Sequence, residues 1–324
     1  MLTDLLITIA GLSLLVGGGE LMVRGASSLA SRFGVSPLAI GLTVVAFGTS
    51  TPELFVNVTA ALHGNTELSF GNIFGSNMAN IGLIIAITAL VGPLRIRNVV
   101  IDREVPMMML ATLVAAALGL DWVLEDSPGA FTRGDGVVLL LLFSVFAYYT
   151  LRDLVRQRSS DVATFEAGPA EEPPRYSMPV SLLLTAAGLA ALAAGGSVTV
   201  EGAEAVAQAL GVSETIIGLT LVAIGTSLPE LSTSVIASMR GYPDMAVGNV
   251  VGSNIFNLLI VLGTTATLAD IPVPDGGIAD LFVVICLSGL LWLTSISQGR
   301  TIIRAEATLL LGLYLGYLVG RTLL

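Results

Sequence analysis

Two short segments place a carboxylate and a proline together inside strongly apolar sequence: GTSTPELF at 48–55 and GTSLPELS at 225–232. An ionised Glu53 or Glu230 at the centre of a bilayer costs several kcal/mol, so such a residue faces a bundle interior or a cavity. Structural pairing with arginine is the ordinary explanation, but no arginine lies in the middle of any apolar run. Two acids without a basic partner need a cation between them. Protons could serve, but the residues around the acids supply oxygen in other forms too. Thr49 and Glu53 are one helical turn apart and share a face, and Ser50 lies beside them. Pro52 cannot donate to the Gly48 carbonyl and crowds it, so a kink is expected there that frees backbone carbonyls between Ala46 and Thr49. The second segment repeats the arrangement with Ala223, Gly225, Thr226, Ser227, Pro229 and Glu230. Six to eight hard oxygens at about 2.3–2.6 Å suit calcium. Two carboxylates neutralise one divalent ion, and the same oxygens could hold sodium ions with a proton.

A second pair of segments, GNIFGSNMAN at 71–80 and GNVVGSNIFN at 248–257, carries the remaining polar residues. Ser76 and Asn80 fall on one helix face, as do Ser253 and Asn257. Gly71, Gly75, Gly248 and Gly252 are spaced four apart, which allows close helix approach or a built site.

The elements that position these residues are membrane helices. The chain has 324 residues, 54% hydrophobic and 12% charged, with a mean hydropathy of +0.88; an ordinary soluble domain carries about 25% charged residues. Ten apolar spans are expected, near 3–23, 36–61, 68–91, 103–120, 135–151, 179–200, 213–238, 244–268, 278–296 and 302–320. The charged, Pro-rich stretch 152–177 is too polar to insert and reads as a cytoplasmic linker. It divides the chain into halves 1–151 and 178–324. With the N-terminus outside, 12 of the 14 arginines fall in inner loops and only Arg133 and Arg321 outside, as the positive-inside rule requires. The opening MLTDLLITIAGL lacks a basic n-region and a small-residue cleavage site, so the first span is expected to be retained.

Positions 41–90 align without gaps to 218–267, with 22 of the 50 residues identical. The matches include Gly, Thr, Ser, Pro, Glu and Asn in register, which marks a duplication. Five spans per half turn the second copy over relative to the first. The fold class is therefore an all-α polytopic membrane protein of ten transmembrane helices, arranged as two inverted five-helix repeats, N-out and C-out. Inverted repeats are a construction of secondary transporters, with the binding site at the midplane where helices break.

The two motif pairs resemble the α-repeats of the calcium/cation antiporter superfamily, and within it the prokaryotic sodium/calcium exchangers. Clear similarity covers 35–90 and 212–267. The resemblance implies alternating access, with calcium exported as sodium enters across a prokaryotic inner (plasma) membrane. It implies calcium ligation by Glu53, Glu230 and the Thr49 and Thr226 carbonyls. Sodium sites would use Ala46, Thr49, Ser50, Glu53 and Ser76, with Ala223, Thr226, Ser227, Glu230 and Ser253. Asn80 and Asn257 would line the middle. The helix breaks would lie at Gly48 and Pro52, and at Gly225 and Pro229. Spans one and six, glycine-rich and loosely packed, would slide. Some relatives carry Asp where this chain has Asn257, so the centre here holds two carboxylates rather than three, which argues against potassium dependence.

The other functions that the residues allow are a calcium/proton exchanger and a cation channel. One cysteine (Cys286) and one histidine (His63) exclude a Cys/His zinc site and the histidine ligands of a metal-dependent intramembrane hydrolase. A net charge of −10 with no basic patch excludes nucleic-acid binding. The expected partners are membrane lipid and the transported calcium and sodium. No cofactor, enzymatic activity or obligate protein partner is expected, and 152–177 is too short for a folded calcium-sensing domain.

Overall fold

The computed structural model describes residues 2–120, 129–159, 175–210 and 223–323. These residues are helical almost throughout. In order come α1 (Leu2–Phe33), α2 (Pro37–Leu62), α3 (Leu68–Val91), α4 (Val105–Leu118), α5 (Arg133–Ser159), α6 (Met178–Ala209), α7 (Leu228–Met239), α8 (Pro243–Leu268), α9 (Gly277–Ile296) and α10 (Arg304–Leu323). A short helical turn, Ala223–Thr226, precedes α7; the start of the expected span 213–238 lies outside the described residues. So does most of the expected linker, although α5 continues to Ser159, past the expected linker start. Seven of the helices are long and apolar enough to cross a membrane by length and composition.

Hydropathy underestimates two of them. α1 and α6 each run 32 residues, about 48 Å at 1.5 Å per residue, against a hydrocarbon core of about 30 Å. Arg24 and Arg32, expected in an inner loop, sit on α1 instead. The helix accommodates its charges by pairing them: Arg24 Nε donates to Glu20 Oε1 at 2.5 Å, one turn away. Arg240, at the end of α7, also pairs with Glu20 and ties α1 to that corner of the second half.

α1 and α6 are not loosely packed against each other, contrary to the sequence expectation. Their glycines interlock along the whole seam. A Cβ on Gly18 would lie 2.8 Å from Leu192 N, one on Gly188 2.5 Å from Met22 N, and one on Gly195 2.8 Å from Leu15 N. Backbones that close leave no room for any side chain. The same two helices contribute nothing to the largest hydrophobic cluster, which is built from α2, α3, α4, α5, α8, α9 and α10. They meet the body through a separate, smaller cluster containing Leu15, Met22, Val23, Leu192, Ala237 and Met245. The pair is thus one tight unit docked on a larger one.

α3 and α8 form the centre. In α8, 94% of the most apolar stretch is buried, against 28% in α6. Each central helix contains a π-helical segment, Asn80–Ile85 in α3 and Asn257–Val261 in α8, and each segment opens on the repeat-equivalent asparagine. Further π turns occur at Gly41–Val45 within α2 and at Val100–Glu104 ahead of α4.

Two antiparallel strand pairs clip the halves together. β1 (Leu94–Arg95) pairs with β4 (Thr301–Ile302), and β2 (Ala130–Phe131) pairs with β3 (Ile271–Pro272). Leu94 and Ile271 are separated by 177 residues, the offset of the repeat, so the duplication extends beyond the motifs into the loops. Each pair joins one strand from each half.

Candidate cation site

The helix break falls at Ser50, between the expected Gly48 and Pro52. Ala46–Thr49 is helical, Ser50 leaves the helix at φ −87° and ψ 3°, and a new helix of 12 residues starts at Thr51. The second copy does the same at Ser227, with φ −89° and ψ 0°. Pro52 and Pro229 therefore occupy the first turn of a helix, where a missing N–H is not needed. This placement puts Glu53 and Glu230 in the first turn as well, at the positive end of the helix dipole. The expected free carbonyls are fewer than the kink alone implied. Ala46 O accepts from Ser50 N at 3.0 Å, Val45 O from Thr49 Oγ1 at 3.1 Å and Phe47 O from Thr51 Oγ1 at 2.7 Å. Gly48 and Gly225 are not where the chain bends. A Cβ on Gly48 would run into Leu189 of α6, and one on Gly225 into Val200. These two glycines admit the α6 side chains.

The glutamates are 1% exposed each, and within electrostatic reach of one another. Glu230 Oε1 accepts from Ser50 Oγ at 3.1 Å and from Ser253 Oγ at 3.5 Å. Glu230 Oε2 and both carboxylate oxygens of Glu53 are buried and accept no hydrogen bond of good geometry among the described residues. Around them Ala46, Thr49, Ser50, Ser76, Asn80, Ser227, Ser253 and Asn257 are all buried. Thr226 is half-buried, and its Oγ1 lies 3.4 Å from Ser76 Oγ. Ala223 opens the turn Ala223–Thr226. The contacts cross between halves: Ser50 with Glu230, Ser76 with Thr226, Asn80 with Asn254 at 2.9 Å, and Asn257 with Asn77 at 3.4 Å.

The glycines beside the site differ between copies. A Cβ on Gly248 or Gly252 would lie 2.8 Å from a carbonyl of α2, Leu38 O or Leu42 O, so here the role is close packing. Gly71 meets nothing within 4 Å, and close approach does not account for it.

Six buried polar residues join the site that the sequence reading did not single out. Asn57 Nδ2 donates to Glu53 O at 2.7 Å and Asn72 Oδ1 at 2.9 Å. Asn249 Nδ2 donates to Glu230 O at 3.3 Å and Ser234 Oγ at 3.0 Å, while its Oδ1 accepts from Thr49 Oγ1 at 3.2 Å. Asn77 and Asn254 complete the set. A signal existed for four of them: Asn72, Asn77, Asn249 and Asn254 are identical between copies, and Asn72 precedes Ser76 by one turn. Together the residues offer carboxylate, hydroxyl, amide and carbonyl oxygen, a donor set for hard cations.

The profile of the family described as "Sodium/calcium exchanger protein" matches residues 3–152 and 180–323. The chain belongs to the sodium/calcium exchanger family. It is 31% identical over 341 aligned positions to sodium/calcium exchanger MaX1 of Methanosarcina acetivorans, covering 98% of this chain and 97% of that one. It is 40% identical over 271 residues to inner membrane protein YrbG of Escherichia coli, covering 83% and 81%. A solved structure of the sodium-calcium exchanger NCX_Mj superposes with a TM-score of 0.82 at 31% identity, over 98% of both chains. As a sodium/calcium exchanger family member the chain is a membrane-embedded cation antiporter and not an enzyme.

Proposed function

We propose that this exchanger moves calcium against sodium by alternating access, with the ions held between Glu53 and Glu230 near the membrane midplane. The observation that carries this reading is the pair itself. Two carboxylates from opposite repeats lie 1% exposed; among the described residues three of their four oxygens accept no hydrogen bond of good geometry and no arginine pairs with them. Burial of that kind is costly unless a cation is the missing partner. Calcium would take Glu53, Glu230 and the Thr49 and Thr226 carbonyls. Sodium would use the flanking hydroxyls of Ser50, Ser76, Thr226, Ser227 and Ser253, with the Ala46 and Ala223 backbone. The number of buried hydroxyls supports sodium, since a proton needs only the carboxylates.

In the same reading the ten helices form two inverted halves, 1–151 and 178–324, joined by a cytoplasmic linker, with both termini outside the plasma membrane. The tight α1–α6 unit, seated on its own small cluster, is the element that moves against the body. Calcium uptake into proteoliposomes tests the coupling. An outward sodium gradient should drive uptake at constant pH. Uptake driven by a pH gradient alone would make the protein a calcium/proton exchanger, and calcium flux without either gradient would make it a channel.

A further inference from the structure

Asparagine can present either end of its amide to an ion, and the two ends have opposite polarity. Only the oxygen end attracts a cation. For Asn80 the neighbours decide which end is free. Asn254 Nδ2 lies 3.5 Å from Asn77 O and 3.5 Å from Met108 Sδ. A main-chain carbonyl and a thioether accept hydrogen bonds and donate none. The nitrogen end of Asn254 must therefore face them, which turns its Oδ1 the other way. That oxygen accepts from Asn80 Nδ2 at 2.9 Å. The Asn80 nitrogen is thereby occupied, and its Oδ1 is left fully buried with no donor among the described residues.

We propose that Asn254 is a positioning residue that locks the Asn80 amide with its oxygen end toward the transported cation. Without the clasp, the Asn80 amide could turn over and set two N–H groups against the ion. The repeat supplies a matching contact: Asn257 Nδ2 donates to Asn77 Oδ1 at 3.4 Å, and Asn257 Oδ1 is likewise buried without a donor among the described residues. Asn77 Nδ2 meets no acceptor among the described residues, so of the two clasping amides only Asn254 is held by its own neighbours. Asn80 and Asn257 also open the two π-helical segments, where the local widening of the helix commonly marks function. Packing alone does not require this arrangement, because glue between helices is served by either amide orientation.

The inference rests on the reading of Glu53 and Glu230 as the ion site, and the two fail separately. A double-mutant cycle in proteoliposomes tests it, with Asn254→Leu, Asn80→Ala and both together. One net hydrogen bond sets the expected effect: Asn254→Leu raises the half-saturating calcium concentration about fivefold, with the maximal rate within about twofold of the parent. The double variant should match Asn80→Ala alone, since Asn254 acts through Asn80. Multiplied effects in the double variant, an unchanged half-saturation in Asn254→Leu, or a loss confined to maximal rate would each overturn the proposal. If Asn254→Leu does not reconstitute, Asn254→Ala runs the same cycle, and failure of both to fold assigns Asn254 a structural role and ends the proposal. Transport retained by both Glu53→Gln and Glu230→Gln would sink the ion-site reading independently of the cycle.

Discussion

Ser50 of the first repeat donates its hydroxyl to Glu230 of the second at 3.1 Å. The bond crosses the interface between halves at the point where α2 breaks, so one residue both ends a helix and orients the opposing carboxylate. Ser253 reaches the same oxygen at 3.5 Å, the outer limit of a hydrogen bond. Ser50→Ala should therefore raise the half-saturating sodium concentration about fivefold, and Ser253→Ala should do less. Sodium-dependent calcium flux on both variants makes the comparison, and the reverse order would show that Ser253 is the stronger partner.

Glu53→Gln and Glu230→Gln should each abolish exchange while leaving a folded protein. The amide keeps the shape and removes the charge that compensates the cation. Size-exclusion profiles and thermal melting separate loss of function from loss of fold. Retained coupled transport in both variants would remove the glutamates from the site.

Calcium should protect the protein against heat, because a ligand that binds only the native state adds about 2.7 kcal/mol at one hundred times its dissociation constant. Chelation should return the melting temperature to its ligand-free value. Neither change is expected in Glu53→Gln. A calcium shift that persists in that variant would place the bound ion elsewhere.

The α1–α6 seam offers a matched pair of substitutions. A Cβ at Gly188 would lie 2.5 Å from Met22 N, whereas one at Gly17 meets nothing within 4 Å. Gly188→Val should destabilise by at least the 1–3 kcal/mol typical of overpacking, because backbone cannot move aside as a side chain can. Gly17→Ala should be neutral. Equal melting temperatures for the two would show that the seam opens freely.

His63 and Arg240 occupy equivalent exposed positions in the two repeats, 177 residues apart. In a chain whose Cys286 has been replaced by serine, His63→Cys should react with an impermeant thiol reagent from outside and Arg240→Cys from inside. Labelling of both from one side would overturn the inverted orientation.

Much of this arrangement was legible because membranes penalise polar atoms. Glu53 and Glu230 stood out for that reason, and the exact repeat of their neighbours tied the two together. The length of α1 was not legible, since Glu20 and Arg24 look like a span boundary until their mutual bond keeps them in the helix. Gly48 and Pro52 bracket the break at Ser50, but the role of the proline was not legible: a proline reads as a kink wherever it stands, while here it begins a helix. Asn77 and Asn254 were passed over because asparagine between membrane helices is ordinary glue. Only the hydrogen-bond directions around Met108 and Asn77 give Asn254 a distinct part.

The π-helical segments of α3 and α8 begin at Asn80 and Asn257, the same position in each repeat. A π turn behaves as one extra residue wound into an α-helix, and two independent insertions would have no reason to coincide. The bulge is therefore a property of the repeated unit rather than of either copy, and it sets Asn80 and Asn257 at the same helical position in both, whereas the surroundings of Gly71 and Gly248 have diverged.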